Sequence, residues 1–219
     1  MAERPPSCRA VVFDFDGTLV DSMPMVLAAH AHAIEPYHPP LSGPEWFARL
    51  GGPPVRTLTE LLPDAAHVAP ALRRLEDFMA VRAAQVRPFA GGRELLATLA
   101  AAGCATGLWT GRDRATTEEM LRLHHLDGGL AASVCGDDLA THKPHPEGLR
   151  VVLQRLNVAA AAALYVGDAD VDVLAGAELG LRTVLIRHGR AVAPEVAARA
   201  WRVVDTPAEA YALVAAETV

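Results

Sequence analysis

The sequence predicts an α/β fold: a doubly wound, mostly parallel sheet with helices on both faces and a small all-helical segment inserted near the N-terminus. Three observations lead there. The apolar run Val11-Val12-Phe13 leads into two carboxylates one residue apart, Asp14 and Asp16, and then a Gly17-Thr18 turn. From Pro88 onward, short strand-like runs alternate with helical patterns, as expected for parallel strands joined by crossover helices. Between these two regions, residues 22–87 show helical spacing without a convincing strand.

The elements follow in chain order. The first strand runs into Asp14 and Asp16. Helical spacing covers Met23 to Ile34 and stops at Pro36, Pro39 and Pro40. Short helices are expected over Pro44 to Leu50 and Val55 to Leu62, separated by a Gly51-Gly52-Pro53-Pro54 loop. A long helix runs from Ala69 to Val86 and ends before Pro88. Helices then follow over Gly92 to Ala101, Ala115 to Leu123, Pro146 to Leu156 and Val171 to Leu179, the last closed by Gly180. Between them lie strands over Ala105 to Trp109, Ser133 to Cys135, Ala163 to Val166 and Thr183 to Ile186. Ala159 to Ala163 reads as a helix end and connection. A weak strand near Val203-Val204 separates final helices over Pro194 to Ala200 and Pro207 to Ala216.

Composition narrows the functional classes. A chain of 219 residues with 51% hydrophobic and 21% charged residues can bury a real core. A net charge of −6 offers no basic face for nucleic acid. No apolar stretch approaches the roughly 20 residues that span a bilayer. Cys8, Cys104 and Cys135 are far apart, odd in number and outside any C-x-x-C, which points to reduced thiols in the cytoplasm. The polar, Pro-containing Met1 to Arg9 does not resemble a signal peptide.

Four sets of polar residues fall at strand ends, where open α/β sheets gather ligand sites. Asp14 and Asp16 form the first. Two adjacent acids need a cation or a shared proton. Asp14, nearest the strand, is the candidate nucleophile, and Asp16 is placed as general acid and base. Thr110 and Gly111 form the second, a hydroxyl and bare N–H groups suited to phosphate oxygens; a helix cap is the competing reading of Thr110. Arg112 beside them reads as a solvated side chain, with a phosphate contact as the alternative.

Lys143 is the third, the sole lysine among 20 basic residues. A compact ammonium fits between a carboxylate and a phosphate where a planar guanidinium does not. His142 and His145 flank it as turn residues. The fourth is Gly167-Asp168-Ala169-Asp170-Val171-Asp172. Acids after a strand suit a hard cation such as Mg²⁺. Asp168 is the best ligand, Asp172 is placed to hold a metal-bound water or Lys143, and Asp170 faces elsewhere. A divalent cation and one ammonium together offset the repulsion between an attacking carboxylate and a phosphate dianion.

With these motifs in place, the chain resembles the haloacid dehalogenase superfamily of Mg-dependent phosphohydrolases over nearly its whole length. Asp14-Phe15-Asp16-Gly17-Thr18, Thr110, Lys143-Pro144 and Gly167-Asp168 through Asp172 are similar to its four motifs in order and placement. The resemblance implies a Rossmann-like core formed by residues 1–20 and 88–219. It also implies a helical cap over 21–87, like that of the phosphoglycolate-phosphatase-like branch. It makes Asp14 nucleophile and metal ligand, and Asp16 acid/base with its backbone carbonyl on Mg²⁺. Thr110 and Lys143 become the phosphate holders and Asp168 the remaining metal ligand. Gly111 stands where many relatives carry Asn or Ser.

The implied activity is Mg²⁺-dependent hydrolysis of a small phosphorylated metabolite through an aspartyl phosphate. Dehalogenases of the superfamily lack the second acid of the first motif, here Asp16, and phosphonoacetaldehyde hydrolases need a cap lysine that this chain does not have. A β-phosphoglucomutase-like mutase would keep all four motifs, and so would a silent binding module of the same fold. Substrate choice is expected in the cap loop, at Arg49, Gly51, Gly52 and Arg56, where an arginine suits the carboxylate of phosphoglycolate or a sugar hydroxyl. His30 and His32 lie two apart on one helix, so at most one faces the site. Nothing in the sequence speaks to the oligomeric state.

Overall fold

The computed structural model describes residues 8–47, 49–50 and 52–218. Six parallel strands, β1 (Ala10–Phe13), β2 (Ala105–Trp109), β3 (Ala132–Val134), β4 (Ala163–Gly167), β5 (Arg182–Ile186) and β6 (Arg202–Val204), form one sheet in the order β3-β2-β1-β4-β5-β6. β1 lies inside the sheet with helices over both faces, so every one of its side chains is buried. Val11 and Phe13 face one layer, with α5 (Gly92–Ala101), α6 (Arg114–Leu123) and α10 (Pro207–Thr218). Ala10 and Val12 face the other, with α7 (Glu147–Leu156) and α8 (Asp170–Glu178). Val196 of the short helix α9 (Pro194–Ala197) packs on Val173 and Leu185.

The inserted segment has a separate core. Helices α1 (Met23–Ile34), α2 (Gly43–Phe47), α3 (Pro54–Leu61) and α4 (Val68–Arg82) enclose Ala33, Ile34, Trp46, Leu58, Leu61 and Leu75. The chain leaves and rejoins the sheet layer side by side. Val20 bridges Pro88 in antiparallel fashion, and the Phe89 amide donates to the Leu19 carbonyl at 3.0 Å.

Some boundaries differ from the sequence reading. α4 stops at Arg82 and tightens into a 3₁₀ turn over Ala83–Gln85, because Val86 has to leave the segment and join the core around β1. α9 ends at Ala197, short of Ala200, because Trp201 is drawn to the Thr183 carbonyl at 2.8 Å to start β6. α2 occupies Gly43–Phe47, while Gly51 lies outside the described residues. The alanine run is a connection only: α7 closes at Asn157 with φ +54°, and a 3₁₀ turn over Ala160–Ala162 leads into β4. Among the described residues, no helix is long and apolar enough to cross a membrane.

Candidate active site

The strand order reverses between β1 and β4, and the crevice above such a switch point is where open α/β sheets bind ligands. Asp14 follows β1 and Asp168 follows β4, at the ends of adjacent strands whose register pairs Phe13 with Val166. Thr110 follows β2 on the other flank of β1. Lys143 arrives from the loop between β3 and α7.

Lys143 is the hub. Its Nζ donates to Asp14 Oδ1 at 2.7 Å and lies 2.7 Å from Asp172 Oδ1. The same ammonium stands over the rings of Trp109 and Tyr165, 4.9 and 5.7 Å from their centroids. Two carboxylates and two aromatic faces surround one point charge, the arrangement a compact ammonium suits. Asp172 is otherwise engaged: Oδ1 accepts from Tyr165 Oη at 2.6 Å and Oδ2 from the Ala169 amide at 3.0 Å. Asp172 therefore secures Lys143, which also takes Asp14 Oδ1, and the cluster's other members are Asp14 Oδ2 and the Asp168 carboxylate.

One oxygen each of Asp14, Asp168 and Asp172 fall within 4.8 Å of one another, all on buried residues. With Asp16, four carboxylates face two cations, Lys143 and Arg112. The excess negative charge is felt in the proton affinities. Burial, joined by Asp172 and Asp16, pushes Asp14 up to about 7 despite Lys143. Burial and the Asp14 and Asp172 charges push Asp168 well above the ordinary aspartate range. Burial disfavours the Lys143 ammonium, but Asp14 and Asp172 outweigh it and hold the proton on. A buried, oxygen-only donor set with excess negative charge could hold a divalent metal ion. Gly17 makes the cluster possible: its φ is +76°, and a Cβ there would fall inside the Asp168 carboxylate.

Asp16 is held separately. Arg112 donates to it from Nη2 at 2.5 Å and from Nε at 3.2 Å, and Ser22 Oγ donates to Oδ1 at 2.5 Å. Burial works to raise Asp16, but Arg112 and Ser22 keep its carboxyl below the usual range. This corrects the reading of Arg112 as a solvated side chain. The loop after β2 turns it back over the sheet edge, where it is 9% exposed and lies over the Phe15 ring.

Thr110 is not a helix cap; Asp113 caps α6 by accepting from the Thr116 amide at 2.9 Å. Thr110, Gly111 and Lys143 instead line one hollow of about 10 Å³, room for a single water. Asp170 pairs outward with Arg190 at 2.7 Å. In the inserted segment, Arg56 Nη1 donates to the Lys143 carbonyl at 3.2 Å, and Gly52 sits where a Cβ would come within 3.4 Å of His142 Cβ. Arg49 is not drawn in: exposed, it donates to the Glu45 carbonyl at 2.7 Å. His30 turns away against Trp46, and His32 lies near Phe78. His142 and His145 close a turn, His145 N donating to His142 O at 2.9 Å.

Trp109, Tyr165 and Ser22 join the site without a role that the sequence assigns them. A tyrosine inside the apolar run of β4 carried a signal, since a buried hydroxyl requires a partner. Ser22 carried none, because its contact with Asp16 depends on how the turn closes.

Residues 11–186 match the haloacid dehalogenase-like hydrolase family. A phosphoglycolate phosphatase of Xanthomonas campestris pv. campestris is 34% identical over 199 residues, covering 83% of this chain and 84% of that protein. An N-acetylmuramic acid 6-phosphate phosphatase of Pseudomonas putida is 31% identical over 209 residues, covering 92% and 93%. The fold is similar to that of a hydrolase from Pseudomonas syringae, with a TM-score of 0.78, 23% identity and coverage of 91% and 94%. The chain thus belongs to the haloacid dehalogenase-like hydrolase family, as an enzyme of its phosphatase branch.

Proposed function

We propose that this enzyme hydrolyses a small phosphate monoester with Mg²⁺, carrying the phosphoryl group on Asp14. The observation that supports this most is Asp14 at the switch-point crevice, 2.7 Å from Lys143 and sharing a buried oxygen cluster with Asp168. The donor set fits the metal: the Asp14 and Asp168 carboxylates would hold it, joined by the Asp16 backbone carbonyl. Bound there, Mg²⁺ supplies positive charge that offsets the repulsion between a carboxylate and phosphoryl oxygens.

An Asp14 oxygen attacks phosphorus as the ester P–O bond breaks, and the departing oxygen takes a proton from Asp16. Water then gives a proton to the Asp16 carboxylate and attacks the same phosphorus, releasing inorganic phosphate and restoring Asp14. Lys143, Thr110 and Gly111 hold the phosphoryl oxygens. Asp16 must release Arg112 and take up a proton from solvent, or keep the one that water gave it in the preceding turnover, before it can donate to the ester oxygen. The helical segment covers the crevice as a cap, with Gly52 and Arg56 against the Lys143 loop. The relatives named for phosphoglycolate and N-acetylmuramic acid 6-phosphate support a substrate that is a phosphorylated small acid or sugar.

The test is phosphate release from p-nitrophenyl phosphate with and without Mg²⁺, then kcat/KM across phosphoglycolate, N-acetylmuramic acid 6-phosphate and simple sugar phosphates. Turnover that needs Mg²⁺ and vanishes in Asp14→Asn is expected. Activity surviving Asp14→Asn would exclude the nucleophile.

A further inference from the structure

The loop after β5 contributes to none of the four motifs, yet it reaches two of them. His188 Nε2 donates to the Gly17 carbonyl at 2.7 Å. Arg190 Nη2 donates to the Asp168 carbonyl at 2.9 Å and to Asp170 Oδ1 at 2.7 Å. Gly17 and Asp168 are the residues whose backbone and carboxylate touch where the β1 and β4 loops meet. One loop therefore grips both sides of that contact.

The grip is rigidly mounted. The Arg187 amide donates to the Val204 carbonyl at 2.8 Å and the His188 amide to Asp205 at 3.0 Å, tying the loop to β6 and its exit. Arg187 also pairs with Asp205 at 2.7 Å. The His188 ring stacks on Phe89, with centroids 5.7 Å apart and planes at 27°, which sets the direction of Nε2. His188 holds φ +48°, a backbone region that costs a side-chain-bearing residue free energy and persists where surroundings impose it. A ring nitrogen facing a carbonyl must carry its proton there, so Nε2 is the donor.

We infer that His188 and Arg190 are positioning residues: by fixing the Gly17 and Asp168 carbonyls they hold the carboxylates of Asp14 and Asp168 at the spacing a divalent cation requires. Both act on the site through backbone carbonyls. The inference rests on the proposed function and adds a third loop to the site. Groups that orient ligands from outside are commonly worth 10–100-fold in metal affinity or activity.

The experiment measures Mg²⁺ dissociation constants by calorimetry on the intact protein without substrate, alongside thermal midpoints and p-nitrophenyl phosphate kinetics. Arg190→Ala should weaken Mg²⁺ binding roughly tenfold and His188→Ala several-fold. At saturating Mg²⁺, KM should hold while kcat falls. His188→Gln and Arg190→Lys, which retain a donor, should recover most of the lost affinity. Folded alanine variants that bind Mg²⁺ like the wild type overturn the inference, as do donor-retaining variants as impaired as the alanine ones. A wild-type protein that neither binds Mg²⁺ nor releases phosphate sinks the functional reading and this inference with it. A wild type that does both, matched by its variants, sinks the inference alone.

Discussion

Arg56, on α3 of the inserted segment, donates from Nη1 to the backbone carbonyl of Lys143, 3.2 Å away and 87 positions along the chain. This contact links the helical segment to the loop that carries the buried ammonium. Arg56 also pairs with Glu60 at 2.8 Å, but that pair is exposed and contributes little to stability. Arg56→Ala should therefore leave the melting temperature nearly unchanged and raise KM for a phosphate ester by roughly three- to tenfold. Arg49→Ala should leave KM within about twofold, since Arg49 donates to its own segment. Steady-state kinetics on the two variants check this, and equal effects would refute it.

The Arg112–Asp16 pair should matter for folding as well as turnover. Removing the guanidinium leaves a part-buried carboxylate with Ser22 alone. Arg112→Ala is expected to lose about 2 kcal/mol in urea unfolding. The sign with pH follows from Asp16 being held below its ordinary 3.8. Its contribution is present above about pH 4 and is lost as the pH falls further. The wild type and Arg112→Ala should thus converge in stability in acid. A gap that persists there would count against the pairing.

Asp14 gives the opposite sign. Its folded value of about 7 lies above the ordinary 3.8, so the folded metal-free protein holds a proton that the unfolded chain has released. The associated stability is present below about pH 4 and is lost as pH rises through about 7, an effect of at most about 4 kcal/mol. Asp168 acts in the same direction. The melting temperature in chelator should fall between about pH 5 and about pH 8. Mg²⁺ should reverse that fall, stabilising more at higher pH because its ligands must be deprotonated. A chelated protein whose melting temperature rises across this range would contradict the assignment.

Lys143→Arg should be nearly as harmful to turnover as Lys143→Met, because the space between Asp14, Asp172, Trp109 and Tyr165 matches an ammonium. A loss in kcat of at least about a hundredfold is expected for both. Lys143→Met should also unfold more easily, by roughly 3 kcal/mol, since it leaves two buried carboxylates without their cation. Wild-type-like turnover in Lys143→Arg would show that charge alone is what the site needs.

Much of this enzyme was legible in the chain. Strand positions followed from short apolar runs bounded by turn residues, and the alternation after Pro88 carried the parallel sheet. The four polar sets were legible because strand ends in an open α/β sheet converge on one edge whatever the details. The rarity of lysine marked Lys143 without any fold knowledge. The boundaries at Arg82 and Ala197 differ where a residue leaves its helix to satisfy the sheet, a demand that local periodicity does not contain.

The sequence by itself determined which residue types stand at each strand end, because hydrophobic runs and turn chemistry are local. Only the tertiary structure decided their pairing. Asp172 rather than solvent secures Lys143, Arg112 turns inward to Asp16, and His188 and Arg190 reach back to the β1 and β4 loops. These contacts join residues distant in the chain, and their geometry is set by sheet order and loop closure. No spacing within the sequence encodes those distances; they arise when the loops pack.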